Sequence, residues 1–264
     1  MQKENCREMI TVESKVPSGI IRYLLTVVSC GALLLLGTPF DAHSVAIPEK
    51  LIYELTWTGI KAGTAIQEIA HDGGNVRIVS TARSADWLST FFRVEDRIES
   101  VLVRKQSTAF GLPKSYRMKI REGKTRRDKE ILFDHAKRTA LYIDHLGGER
   151  KNVAIDDKTL DTLSSFYYVR SLPLHIGKSI YVTVFDGKKL WDTEVQVLRR
   201  EKIKVRLGTF NTIVVKPLMK SEGIFEKKGD MYIWLTDDIR HLPVMMKTKV
   251  PVGSITATLV GGTY

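Results

Sequence analysis

The sequence predicts a mostly β fold: a curved antiparallel sheet or open β-barrel carrying one packed helix. Three observations lead there. Apolar and polar residues alternate along most of the chain from Leu51 onward, the period at which strand side chains change faces. Glycine-containing turns fall between the alternating runs. The runs recur after roughly a dozen residues, a spacing that suits antiparallel meanders rather than crossover units with helices.

In chain order, the first element is a leader. Tyr23 to Leu36 is uncharged and apolar, follows Arg22, and is broken by Gly37, Thr38 and Pro39. Ser44-Val45-Ala46 then offers small residues at the positions a signal peptidase reads, so residues 1–46 read as a signal peptide. The run is short for a membrane span, which needs about 20 apolar residues. Val27-Val28-Ser29-Cys30 imitates a lipoprotein box, but there Leu33 to Leu36 would follow the modified cysteine rather than precede it. The expected location is the periplasm of a Gram-negative bacterium, with anchoring by uncleaved residues 20–36 as the alternative. Both cysteines, Cys6 and Cys30, lie in this leader. An exported chain cut after Ala46 therefore has no thiol for a disulfide, a metal or a nucleophile.

Residues 47–264 are expected to form a single β-rich exported domain. Ile203, Val205 and Leu207 alternate with Lys202, Lys204 and Arg206. Met231, Ile233 and Leu235 alternate with Tyr232 and Trp234, and Ile255, Ala257 and Leu259 with Thr256 and Thr258. Each run predicts a strand with one apolar face and one wetter face. Turns are expected at Asp72-Gly73-Gly74, Glu122-Gly123-Lys124, Gly147-Gly148, Asp186-Gly187 and Gly261-Gly262. The exception to the period is Leu160 to Leu172, where Leu160, Leu163, Phe166, Tyr167 and Val169 recur at helical spacing before Pro173. One helix packed on the sheet is expected over about 160–172, after a polar stretch, Lys151 to Thr159, that divides the chain into halves of similar length.

The chain has 264 residues, 43% of them hydrophobic and 27% charged, which excludes wholesale disorder, collagen and coiled coil. Its 41 Lys+Arg against 30 Asp+Glu give a formal net charge of +11. Residues 1–46 hold basic and acidic groups in equal number, so the excess stays on the folded part, where it favours anionic partners.

Catalytic patterns are sparse. Asp237, Asp238 and His241, in the turn expected between strands 229–235 and 242–250, form the best-looking acid/base cluster. Aspartates also cap tight turns, and Arg240 neutralises this one. Asp156, Asp157 and Asp161 lack calcium-loop spacing and suit a helix N-terminus instead. The histidines form no zinc pattern, and no nucleophile elbow, dinucleotide fingerprint or Walker loop is present. No catalytic residue, metal or cofactor is assigned, and no nucleotide or nucleic-acid partner is expected.

Two segments suggest binding. Arg117, Lys119 and Arg121 share one strand face, with Lys124, Arg126 and Arg127 beyond the turn. Such a row suits the phosphates of lipid or lipopolysaccharide on an anionic membrane surface, or serves only to keep an edge strand from pairing. Trp87, Leu88, Phe91 and Phe92 lie in a stretch without strand alternation, suited to a lip over an apolar cavity or to a short segment folded on the core. Trp57, Trp191 and Trp234 are expected within the sheet.

Several segments resemble a bacterial family of exported domains known as domain of unknown function 3108. The resemblance is carried by Leu51 to Ala65, by Gly111-Leu112-Pro113 and Leu132-Phe133-Asp134, and by Asp161 to Pro173. It continues through Ile233-Trp234-Leu235-Thr236-Asp237-Asp238, Leu242-Pro243-Val244 and Val252-Gly253-Ser254-Ile255. It implies a mostly β, envelope-located domain and transfers no activity. Taken together, these features predict a non-enzymatic envelope protein that shelters an apolar or amphiphilic, lipid-like ligand in a curved sheet, with the basic hairpin docking it to anionic surfaces. The alternatives are a scaffold that binds another envelope protein or a cell-wall polymer, and a hydrolase using Asp237, Asp238 and His241.

Overall fold

A computed structural model describes residues 45–104, 110–218 and 231–264. The predicted signal peptide, apart from Val45 and Ala46, lies outside the described residues. The described residues belong to one compact unit, Ala42–Tyr264.

Eight strands precede the main helix: Glu49–Trp57 (β1), Ile60–Asp72 (β2), Asn75–Ser84 (β3), Glu95–Val103 (β4), Leu112–Glu122 (β5), Thr125–Asp134 (β6), Thr139–Asp144 (β7) and Arg150–Ala154 (β8). A single helical turn, Asp86–Ser89 (α1), lies between β3 and β4. The main helix, Thr162–Arg170 (α2), leads to Ser179–Phe185 (β9), Leu190–Val205 (β10), Gly208–Leu218 (β11), Met231–Thr236 (β12), Pro243–Lys249 (β13) and Ser254–Thr263 (β14). Every strand pairs antiparallel with its neighbours in one 14-stranded sheet, ordered β8 to β1 and then β14 to β9. The terminal strands β1 and β14 therefore meet in the middle, and the sheet's two edges, β8 and β9, fall where the chain passes through α2.

That gap is not hydrogen-bonded as a ladder, so the sheet curls without closing into a barrel. A lone parallel bridge, Leu160 to Val184, ties the segment before α2 to β9. Side chains close the rest: Phe133 of β6 meets Phe185 of β9 edge-to-face at 6.4 Å. A Cβ on Gly187, in the β9–β10 turn with φ +97°, would fall 2.8 Å from the Tyr142 ring of β7. Only glycine allows both that backbone and that approach.

Three apolar clusters hold the fold. The first gathers β2 to β8 with Leu163 and Tyr167 of α2. The second gathers β9 to β12 with Val169, and Phe166 packs against both. The third joins Leu51 and Tyr53 of β1 to Val214, Trp234, Val244 and Leu259. Since α2 is covered from both halves of the sheet, it lies inside the curl.

The structure corrects three sequence expectations. Gly261-Gly262 is not a turn but part of β14, where Gly262 brings the backbone against the Lys50 carbonyl of β1. Leu207 sits in the β10–β11 turn rather than in the strand. Trp234 is on no wet face: Val214 and Trp234 are buried on one side of β11–β12, and Ile213, Val215, Ile233 and Leu235 on the other. Strand alternation reports a half-buried strand, and these two strands are buried on both faces.

Candidate functional site

The helix is pinned at both ends by buried carboxylates. At its start, Asp161 is the N-cap, accepting from Leu163 and Ser164 backbone N–H groups at 2.8 Å each, with Ser164 Oγ completing a capping box. Its other oxygen accepts from Ser100 Oγ of β4 at 2.6 Å. Burial pushes the Asp161 carboxyl above its usual range, and the hydrogen bonds from Ser100, Ser164 and Leu163 oppose that push. At the other end, Arg170 makes a two-pronged contact with Glu49 of β1, Nη1 at 2.8 Å and Nη2 at 2.7 Å, with both residues buried. Arg170 Nε also donates to the His241 carbonyl, while His241 Nδ1 bonds the Arg170 carbonyl at 2.8 Å.

The residues of the acid/base cluster make contacts that hold the turn and the helix end. His241 is buried at the helix end, with φ +43°. Asp238 Oδ1 accepts from Thr236 Oγ1 at 2.7 Å and Arg240 N at 3.0 Å, and Arg240 Nη2 lies 2.7 Å from Oδ2. Partial burial raises the Asp238 pKa, but the bonds from Arg240 and Thr236 outweigh it and leave the value lowered. Asp237 pairs with Arg200 at 2.7 Å. Asp161, which the sequence suits to a helix N-terminus, stands there as a fully buried N-cap, and no metal-holding group of acids, histidines and cysteines occurs among the described residues.

One side of α2 leaves space. A partly open cavity of about 170 Å³ lies between Thr162, Ser165, Phe166, Val169 and Arg170 of α2 and the inward residues of β9 to β12. Its sheet wall is Val182, Val184, Val195, Val215, Ile233 and Leu235, with Thr193, Pro217 and Met231 toward the strand ends. The wall is mostly short and β-branched, and it leaves a gap beside the helix. The polar groups that α2 brings to the lining are engaged: Thr162 Oγ1 donates to Tyr116 Oη at 2.9 Å, Ser165 Oγ donates to the Thr162 carbonyl at 3.0 Å, and the Arg170 charge is matched by Glu49. The site therefore suits an uncharged, apolar group.

The predicted aromatic segment lies elsewhere. None of Trp87, Leu88, Phe91 and Phe92 lines this cavity. They occupy α1 and the residues after it, where Trp87 Nε1 donates to the Lys61 carbonyl at 2.8 Å and Phe91 is 84% exposed. The basic residues split by face. Arg117, Lys119 and Arg121 point outward in register with Glu130, Asp128 and Arg126 of β6. Arg117 is held by Asp128 at 2.6 Å and Glu130 at 2.9 Å, and Arg121 by Glu95 at 3.2 Å. Arg127 is opposite Ile120 and faces inward, while Lys124 and Arg126 stand exposed at the hairpin tip.

The cavity residues were not singled out from the sequence. The available signal was compositional: the inward positions of β9 to β12 are mostly valine and isoleucine, whereas β5 to β7 carry Tyr116, Phe133 and Tyr142. Arg170 also carried a signal, as a charge one residue beyond an apolar helical stripe.

Fold and site define a β-barrel-like protein: a curled antiparallel sheet wrapped on one inner helix. A solved structure from Brucella abortus, described as a beta-barrel-like protein of domain of unknown function DUF1849, is similar in fold. It matches at a TM-score of 0.53 and 13% identity, covering 83% of this chain and 98% of that one. A family model described as protein of unknown function (DUF3108) matches residues 52–260, and the chain belongs to that family. No curated protein matches.

Proposed function

We propose that this domain is a non-catalytic binding protein of the bacterial envelope that holds an apolar or amphiphilic, lipid-like ligand. The cavity between α2 and β9–β12 carries the reading. At about 170 Å³ it resembles engineered apolar cavities of about 150 Å³ that stay dry and take up benzene. It has room for one ring or a short stretch of acyl chain, with the rest of a larger ligand passing out of the open side. The apolar leader at Tyr23 to Leu36, followed by small residues, supports export.

The test is binding of dodecanoate to residues 42–264, followed by native mass spectrometry and titration calorimetry. A one-to-one adduct that Val215→Phe and Val184→Phe each weaken about tenfold, with thermal midpoints preserved, is the expected result. No adduct, or an adduct indifferent to both cavity-filling substitutions, overturns the reading. The scaffold alternative finds less support, because the edge strand β8 presents Arg150 and Lys151, charges that discourage strand addition.

A further inference from the structure

The meander sends the β1–β2, β3–β4, β5–β6 and β13–β14 connections to one end of the sheet, since each joins strands of alternating direction in the same order. These four connections are stitched into one continuous rim. Trp57 Nε1 donates to the Val252 carbonyl at 2.8 Å, and Thr58 N to the Ser254 carbonyl at 2.8 Å, joining β13–β14 to β1–β2. Ala85 N donates to the Ala62 carbonyl at 2.7 Å and Trp87 Nε1 to Lys61 O at 2.8 Å, joining β1–β2 to α1. Gly123 N donates to the Arg93 carbonyl at 2.9 Å, joining α1's segment to the basic hairpin. Phe92 lies on Gly123, where a Cβ would come within 2.6 Å of its ring.

Along this rim the largest apolar side chains point into solvent: Phe91 is 84% exposed, Val252 69%, Ile60 62%, Phe92 47% and Trp87 45%. A soluble surface does not ordinarily present aromatic and aliphatic groups side by side on hydrogen-bonded loops without a use for them. Cations flank the same rim. Lys61, Lys124, Arg126 and Lys249 are all exposed, and the last three have no ion pair among the described residues. Aromatic rings on tips with lysine and arginine beside them match a bilayer interface, where rings sit at headgroup level and cations meet lipid phosphates.

We infer that the rim carrying Ile60, Trp87, Phe91, Phe92 and Val252, with Lys124 and Arg126, docks the domain onto the surface of an anionic phospholipid membrane. Pro217 and Met231, which end the cavity lining, sit on strands that terminate at this same end. Docking thus brings the cavity and the bilayer to one side of the molecule, although the inference stands without any ligand in the cavity.

Residues 42–264, which contain all three core clusters, are mixed with phosphatidylcholine vesicles with and without phosphatidylglycerol, and bound protein is measured by sedimentation. The leader is omitted so that its apolar run cannot contribute to the binding measured. Sedimentation with the phosphatidylglycerol vesicles, falling as salt rises, is expected. Phe91→Ser should weaken it about tenfold, and Lys124→Gln with Arg126→Gln about fivefold per charge removed, with thermal midpoints unchanged because the groups are exposed. Tyr181→Ser, at an exposed aromatic on the edge strand β9, should leave binding intact. Val215→Phe should also leave it intact, which separates this inference from ligand binding in the cavity. Equal binding to both vesicle types, no binding to either, or equal loss from Tyr181→Ser and Phe91→Ser would overturn the assignment.

Discussion

Helix α2 meets two halves of one sheet, and they treat it differently. Toward β2–β8, Leu163 and Tyr167 are packed with Phe133, Tyr142 and, from the segment just before β5, Phe110, rings that fill the space between sheet and helix. Tyr167 contacts Phe110 edge-to-face at 6.4 Å. Toward β9–β12, Val169 and Phe166 face valines and isoleucines, and the cavity opens. Both walls are antiparallel ladders of the same sheet. What differs is side-chain reach, and the lesson is that a pocket can be made by shortening residues along one wall without altering the fold.

The contrast can be broken most severely at the joint both halves share. Arg170→Ala leaves Glu49 buried and unpaired, and a loss of about 3–5 kcal/mol is expected in denaturant unfolding. Glu49→Gln with Arg170→Met should recover much of that loss, because both charges then leave the interior together. Next is the packed half. Leu163→Ala should cost about 2–4 kcal/mol by opening a void among rings that cannot collapse into it. On the cavity side a smaller change in volume runs the other way. Val215→Leu adds carbon to empty space, and chemical denaturation should find stability altered by less than about 1 kcal/mol, whereas overpacking a filled core costs more than that.

The smallest effect concerns a polar corner of the packed half. Asp96 of β4 is pushed up to about 6, first by burial and then by neighbouring Glu122, against a backbone bond from Arg121 and the charge of Arg127. A carboxyl whose folded value exceeds its unfolded value of 3.8 holds its proton better when folded. Its contribution therefore falls as pH rises from about 4 through about 6. Solvent screening at this half-buried site limits the effect to less than about 1 kcal/mol. The difference in unfolding free energy between the wild type and Asp96→Asn should shift in that window, and a flat difference would show that Asp96 titrates normally.

Much of the frame was legible. Alternation located the strands around Ile203, Ile233 and Ala257, and Glu122-Gly123-Lys124, Gly147-Gly148 and Asp186-Gly187 do reverse the chain between strands. The helix expected at 160–172 is Thr162–Arg170, capped by Asp161 and ended before Pro173. The failures share a cause. Gly261-Gly262 looks like a turn, yet serves a close backbone approach between strands far apart in sequence. Trp234 looks like a wet-face residue, yet β12 has a covered second face. The site was less legible still: Glu49 and Arg170 lie 121 residues apart, and nothing local announces that they meet.

The sequence alone settled a single antiparallel meander interrupted by one capped helix, because strand period, turn chemistry and helix capping are interactions between near neighbours in the chain. Only the tertiary structure decided that β1 pairs with β14, that α2 lies inside the curl, and that one wall falls short of it. Those outcomes depend on which distant faces come together and how far their side chains reach, and neither distance is written in any local run of residues.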